Sequence, residues 1–371
     1  MAIDWDNMLV YSTVKVVKIK DRKLSILHFL FLIAIFVYII IYSVIVKKGY
    51  LETEVPIGSV RATLRAPSNF TYPLPYCQGQ PNADPSIGFL PCQYWDENLV
   101  TYPLNDKSVS ISTRVRSSVQ SANCSFASPN CRYQDDPTKD ENFFIGDIER
   151  YTIYIDHTMY ASGSKIQKNA KSLSGRIITA DDKSETLDDG ISSVGIAGKP
   201  DIIELGTLLK LADINLDDQS LIDNSTTIRY DGINIFLFIT YSNTFSYNLN
   251  KYRYTYSVSK IENTEYTVAE SVYTTDVENR YIFKRHGIRI IFIQDGDIST
   301  FQFQALLITL VSGLGLLAIA TTITDLLAIK LMPHKQTYSN FKYQETDKIS
   351  NEISMNKLET QINNFVSNQI V

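Results

Sequence analysis

Two long apolar runs, residues 24–46 and 298–324, stand near the ends of the chain with about 250 mostly polar residues between them. Each is long enough to cross about 30 Å of hydrocarbon as a helix, which takes about 20 residues. Two crossings return the chain to its starting side, so both tails share one compartment and the middle block lies in the other. Within that block the pattern changes to period two. Val60, Ala62 and Leu64 alternate with Arg61, Thr63 and Arg65, and Tyr252, Tyr254, Tyr256 and Val258 alternate with Lys251, Arg253, Thr255 and Ser257, as strands with one buried face do. Residues 228–241 and 281–293 are apolar on both faces and read as strands covered on both sides. Most of the twelve prolines fall between Pro67 and Pro137, where periodicity is poor, so that stretch reads as an irregular lobe. Beyond Pro333 the Asn-, Gln-, Ser- and Lys-rich tail reads as largely disordered.

The predicted class is therefore membrane α+β, two transmembrane helices flanking a large, mostly β extracellular or lumenal domain. Its divisions are an N-terminal tail at 1–23, a first span at 24–46, the ectodomain at 47–297 with a head lobe at 66–147, a second span at 298–329 and a C-terminal tail at 330–371.

Charge sets the orientation. Lys15, Lys18, Lys20, Arg22 and Lys23 precede the first span, and Lys330, His334, Lys335 and Lys342 follow the second, as cytoplasmic flanks do; Lys47 and Lys48 run against the bias. Three glycosylation sequons, at Asn69, Asn123 and Asn224, all lie in the middle block and place it outside the cytosol. A cleaved signal peptide would have a shorter apolar core and a small-residue cleavage site, so the first span reads as an anchor. The net charge of -5 does not suit a nucleic-acid partner. Cys77, Cys92, Cys124 and Cys131 cluster in the outward-facing block, where two disulfides are expected; loop length favours Cys77 with Cys92 and Cys124 with Cys131, and four cysteines allow three pairings. Zinc is the weaker reading, since there is no CxxC and His28, His157, His286 and His334 are scattered, so no metal site is expected.

Catalytic constellations are lacking. Gly190 and Gly195 have the spacing of a phosphate loop's glycines, but Ile196 stands where its lysine belongs, and Gly198-Lys199 is followed by Pro200. Neither a Gly-x-Ser-x-Gly elbow nor a His-Glu-x-x-His motif occurs. The acid pairs Asp181-Asp182, Asp188-Asp189 and Asp217-Asp218 read as solvated loop charge. An enzyme is not expected, and neither is a cofactor.

The order of local motifs is what resembles a known family. Tyr11-Ser-Thr13-Val-Lys15 looks like the YxTxK of the P2X receptors, ATP-gated ion channels; Lys48-Gly49-Tyr50 resembles their KGY, Lys284-Arg-His-Gly287-Ile288-Arg289 their K-x-x-G-I-R, and Ser312-Gly313-Leu314 their S-G-L. Asp325 stands at the position of their inner aspartate, and Tyr338 with Lys342 fits their YxxxK. The resemblance implies a homotrimer that binds ATP, as agonist, between subunits and then passes sodium, potassium and calcium. Carried over position by position, the ATP site falls on Arg65, Thr152, Arg253 and Lys284; Thr63 replaces a family lysine and Lys251 a family asparagine, and Arg61, on the face of Thr63, would supply the missing charge.

The resemblance also puts the pore constriction on Ile308, Ser312 and Gly315, in a span rich in small and hydroxylated residues such as Thr309. Asp325, the one acid embedded at a span end, would tune cation entry or brace the helices. The implied partners are ATP, further copies of the chain, membrane lipids and the permeating cations. Rival readings are a two-span trimeric channel with another agonist, and a non-conducting ligand-binding or adhesion scaffold. The small number of cysteines and the Asn-, Ile- and Tyr-rich composition suit a protist-type member, and with it a contractile-vacuole-type membrane rather than the plasma membrane.

Overall fold

The computed structural model describes residues 21–342 apart from 103–106, 180, 221, 223 and 224. The chain divides into two compact units, Met1–Leu51 with Phe301–Val371, and Glu52–Thr300.

In the first unit a helix runs from Arg22 to Val37 and continues as a π-helix over Tyr38–Val46. Asp21 caps it, its carboxylate accepting from the amides of Lys23 and Leu24, which satisfies donors that a helix start leaves free. The second long helix, Phe303–Lys330, packs against it through small residues: Gly313, Ala320, Thr324 and Ala328 are the buried positions, and a Cβ on Gly313 would come within 2.8 Å of Ile39. His28 Nδ1 meets Thr324 Oγ1 at 3.2 Å. Ile26, Phe29, Leu30, Ile33 and Phe36 remain exposed, as lipid-facing side chains of a span would be. Both helices exceed the length a crossing needs.

Two expectations are corrected here. The second span starts at Phe303 rather than at 298, because residues 298–301 close the last strand of the ectodomain, with Ile298 and Ser299 buried there; uncharged residues that abut a helix extend its apolar run without sharing its conformation. The tail beyond Pro333 is helical over Lys335–Lys342, held by two contacts described below.

The second unit is built from sixteen strands among the described residues: β1 (Leu51–Glu54), β2 (Val60–Arg65), β3 (Cys92–Gln93), β4 (Ser108–Ser121), β5 (Gln134–Ile145), β6 (Thr152–Ala161), β7 (Ile166–Asn169), β8 (Ser174–Ile178), β9 (Ser184–Glu185), β10 (Leu187–Asp188), β11 (Ser193–Val194), β12 (Asp201–Glu204), β13 (Ile233–Ser242), β14 (Arg253–Lys260), β15 (Thr267–Tyr273) and β16 (Asn279–Phe301). A ten-stranded sheet has the order β3-β5-β4-β16-β13-β14-β8-β9, with β1 and β15 also on β16, and a six-stranded sheet the order β10-β11-β12-β6-β2, with β7 on β6. Their inner faces share one core, Val109, Ile111, Ile235, Leu237, Ile239, Ile288 and Ile290 from the larger sheet meeting Val60, Leu64, Ile153, Ile155 and Met159 from the smaller. Each such side chain contributes about 1.5–3 kcal/mol on burial.

A polar group crosses this core. Tyr254 and Tyr256 on β14 donate to Asp201 on β12 at 2.6 and 2.8 Å, and His157 Nδ1 on β6 meets the Tyr241 hydroxyl at 2.7 Å. The period-two tyrosines are therefore inward, with their polar ends satisfied.

The stretch 66–147 is not simply irregular. It contains the long antiparallel pair β4–β5, and Cys77–Cys92 and Cys124–Cys131 are disulfides. β5 was hidden by its composition, Asp, Glu, Lys and a proline, which suits a strand whose outer neighbour is the two-residue β3. Residues 228–241 also divide: Ile228–Asp231 is a helical turn, Gly232 adopts φ +86°, and only then does β13 begin. A Cβ at Gly232 would collide with the backbone of Gly287, so both the conformation and the close approach demand glycine. Neither β13 nor β16 is apolar on two equally buried faces; in β13 buried and half-buried positions alternate.

Candidate functional site

The predicted ligand-binding positions form two groups, one on each sheet. On the smaller sheet β2 alternates as its sequence predicts, with Val60 and Leu64 buried and Arg61, Thr63 and Arg65 exposed. Antiparallel pairing with β6 sets Arg65 opposite Thr152, Thr63 opposite Tyr154 and Arg61 opposite Asp156. Thr152 is thus the neutral hydroxyl beside a guanidinium, and on its other side β12 places Glu204. Arg61 stands opposite Asp156 in the register but forms no ion pair with it.

On the larger sheet, Arg253 opens β14 and lies with its guanidinium carbon 4.2 Å over the Phe245 ring. Partial burial, and secondarily Arg176 on β8, hold that guanidinium below its ordinary pKa. Lys284 is exposed on β16, in register with Arg116 on β4 and Ala269 on β15. The register shifts between His286 and Gly287, a bulge two residues beyond Lys284. Gly287 is required there, since a Cβ would meet the Ile111 carbonyl oxygen at 2.0 Å. Lys251 is exposed just before β14.

Among the described residues, no ion pair involves Arg61, Arg65, Lys251, Arg253 or Lys284. Cations without internal counter-ions are available to an anion. The structure brings Arg65 together with Thr152, and places Arg253 and Lys284 on the same larger sheet; within one chain the two groups belong to different sheets.

Some functional-looking residues escaped the sequence. Arg229 is 1% exposed and held by Glu149 at 2.5 Å and Asp217 at 2.7 Å, with its guanidinium 3.5 Å over Tyr76. Asp217 is therefore a structural counter-ion rather than solvated loop charge. Burial pulls the Arg229 pKa down, but Glu149 and Asp217 outweigh it and raise it overall. No local pattern announces this triad, because its members come from distant segments. Arg116 and Arg176 were discoverable as basic residues on alternating strands, had β4 and β8 been recognised.

In the helical unit, Ile308, Ser312 and Gly315 share an exposed face, at spacings of four and three; a Cβ on Gly315 would meet nothing within 4 Å. Thr309 does not belong to that face. Its hydroxyl donates to the Gly49 carbonyl at 2.7 Å, so it ties the second long helix to the segment that follows the first. At the other end Lys342 Nζ donates to Asp325 at 2.5 Å and the Tyr338 hydroxyl to Asp21 at 2.9 Å, so Asp325 serves as a brace for the tail helix. Asn69 and Asn123 are exposed, while Asn224, Thr13 and Lys15 lie outside the described residues.

A family model described as ATP P2X receptor matches residues 9–144 and 115–345. P2X receptor A of Dictyostelium discoideum is 50% identical over 353 residues, covering 94% of this chain and 93% of that protein. P2X receptor C of the same organism is 47% identical over 347 residues, covering 93% of each. Among solved structures, an invertebrate P2X receptor from the Gulf Coast tick, in the presence of ATP and Zn2+, aligns with a TM-score of 0.54 at 13% identity, over 81% of this chain and 99% of that one. The chicken ATP-gated P2X7 receptor channel, in the presence of the competitive antagonist TNP-ATP, aligns with a TM-score of 0.51 at 17% identity, over 81% and 98%.

Proposed function

The chain belongs to the P2X receptor family, and from that membership we propose that it is an ATP-gated, non-selective cation channel of sodium, potassium and calcium, built as a homotrimer. ATP binds from the extracellular or lumenal side between neighbouring subunits, Arg65 and Thr152 from one meeting Arg253 and Lys284 from the next. The observation that carries this reading is the pair of unneutralised cationic groups on separate sheets. A polyphosphate needs several charge-assisted donors at once, and a closed cyclic assembly is the means by which one surface of a subunit meets a different surface of its neighbour.

The pore is lined by Ile308, Ser312 and Gly315, with a ring of Ile308 closing it by dewetting. Lipids surround the long helices, Asn69 and Asn123 carry glycans, and no cofactor is needed beyond ATP as agonist. The membrane is a vacuolar one of the contractile-vacuole type, as the protist-like composition suggests.

Patch recording of the purified protein in liposomes, with ATP, acid or nothing on the ectodomain side, tests the reading. ATP alone should evoke cation current. Current with acid alone, or no current under any condition, would overturn it.

A further inference from the structure

Arg176 sits at the centre of β8, between the buried residues Gly175 and Ile177. β8 and β14 run parallel, with Arg253 opposite Ser174 and Arg176 opposite Thr255. Arg253 and Thr255 alternate with the core tyrosines Tyr254 and Tyr256, so they project from the outer face of the sheet. Arg176, in register with Thr255, projects from that same face, one diagonal step from Arg253.

Neither arginine has an acid to itself: no ion pair among the described residues includes Arg176 or Arg253. Arg176 Nη1 donates to the Ser184 carbonyl at 3.3 Å, which occupies one of its five donors. Arg253 rests against Phe245, and a ring contact occupies the guanidinium's face rather than its N–H edge. Like charges held as neighbours on one strand face oppose folding. A bound anion relieves that repulsion.

We propose that Arg176 is a further phosphate-binding residue of the ATP site, acting with Arg253 as a two-guanidinium clamp on the polyphosphate. This rests on the ATP reading above and extends it. The planar fork of each arginine matches two phosphate oxygens, so a pair of them favours a chain of phosphates over a single one. The clamp also offsets Thr63, which stands where β2 would otherwise carry a third cation: the charge missing on the smaller sheet is present on the larger.

The test is calorimetric titration of the full-length trimer in detergent with ATP and with ADP, on the wild type, Arg176→Gln, Arg176→Lys and Arg253→Gln. Removing a charged hydrogen-bond partner weakens binding on the order of ten-fold or more, so Arg176→Gln should lose at least that for ATP and narrow the preference for ATP over ADP. Arg176→Lys should recover part of both, because it restores charge without the fork, a pattern that a merely structural role would not give. Wild-type affinities for both nucleotides in Arg176→Gln, beside a loss in Arg253→Gln, overturn this inference and leave the ATP site standing. A wild-type trimer that binds neither nucleotide overturns both.

Discussion

Lys284 and Arg116 stand opposite one another where β16 pairs with β4, and among the described residues only Arg116 closes an ion pair, with Asp140, whose carboxyl also feels the charge of Lys284. Asp140 takes the Arg116 guanidinium through two nitrogens, and chiefly for that reason its carboxyl lies below the usual carboxylate range. Lys284, exposed on its strand, can turn its donors to a ligand. Lys284→Ala should therefore weaken ATP binding by about 2 kcal/mol or more, as when one partner of a charged contact is truncated, with trimer assembly unchanged. An ATP titration identical to wild type would remove Lys284 from the site.

Arg229 makes a separate prediction, about stability. It is buried between Glu149 and Asp217, so Arg229→Ala leaves two acids facing a cavity and should cost about 3–5 kcal/mol. Arg229→Met combined with Asp217→Asn should recover part of the loss, because fewer unpaired charges remain. Thermal unfolding of the solubilised protein measures both, and a double variant less stable than the single one would contradict the account.

What could be read in the sequence was what depends on local periodicity. The alternation of β2 was correct residue by residue, and so were the two long apolar helices, because a strand with one covered face and a helix in lipid each repeat at a fixed interval. Boundaries set by tertiary packing were not visible. Ile298 joins β16 because its side chain enters the ectodomain core, and nothing in an apolar run distinguishes that from the first turn of a span. β5 was missed since a strand with charged faces, covered on its outer side only by the two-residue β3, carries no hydrophobic signal. The partners of Arg65 and Lys284 required strand register, which links residues about 90 and 170 positions apart and leaves no mark on either segment alone. Motif order located these two residues, whereas Arg176 belongs to no motif and emerged only from the pairing of β8 with β14.

His286, two residues past Lys284, predicts a pH effect. Burial, and next the charge of Arg114, push its pKa down to about 4, while its Nδ1 meets Thr267 Oγ1 at 2.8 Å. Between pH of about 6.5 and 4 the unfolded chain takes up a proton that the folded chain refuses, so stability falls as pH falls through that window. The contribution is on the order of 1–2 kcal/mol, discounted because the ring is partly exposed to solvent. His286→Gln should flatten the pH dependence of the melting temperature across that window. An unchanged slope would place the titrating group elsewhere.

The second long helix carries the test of the conducting path. Ile308, at 58% exposure, shares its open face with Ser312 and Gly315, while Gly313, two residues from Gly315, is buried against Ile39. All four native cysteines are in disulfides, so single introduced cysteines can be read without interference. Cysteines at 308, 312 and 315 should react with water-soluble thiol reagents faster with ATP than without, because the reacting thiolate needs water. Cysteines at Gly313 and Leu316, turned towards the first helix or partly covered, should react slowly in both states. Ile308→Ser should leave a leak current without ATP, since a ring of hydroxyls no longer excludes water as a ring of isoleucines does. Gly313→Leu should disrupt packing, because Ile39 stands where the new side chain must go. Equal modification rates around the whole helix, together with a silent Ile308→Ser, would show that this face meets lipid and that cations take another route.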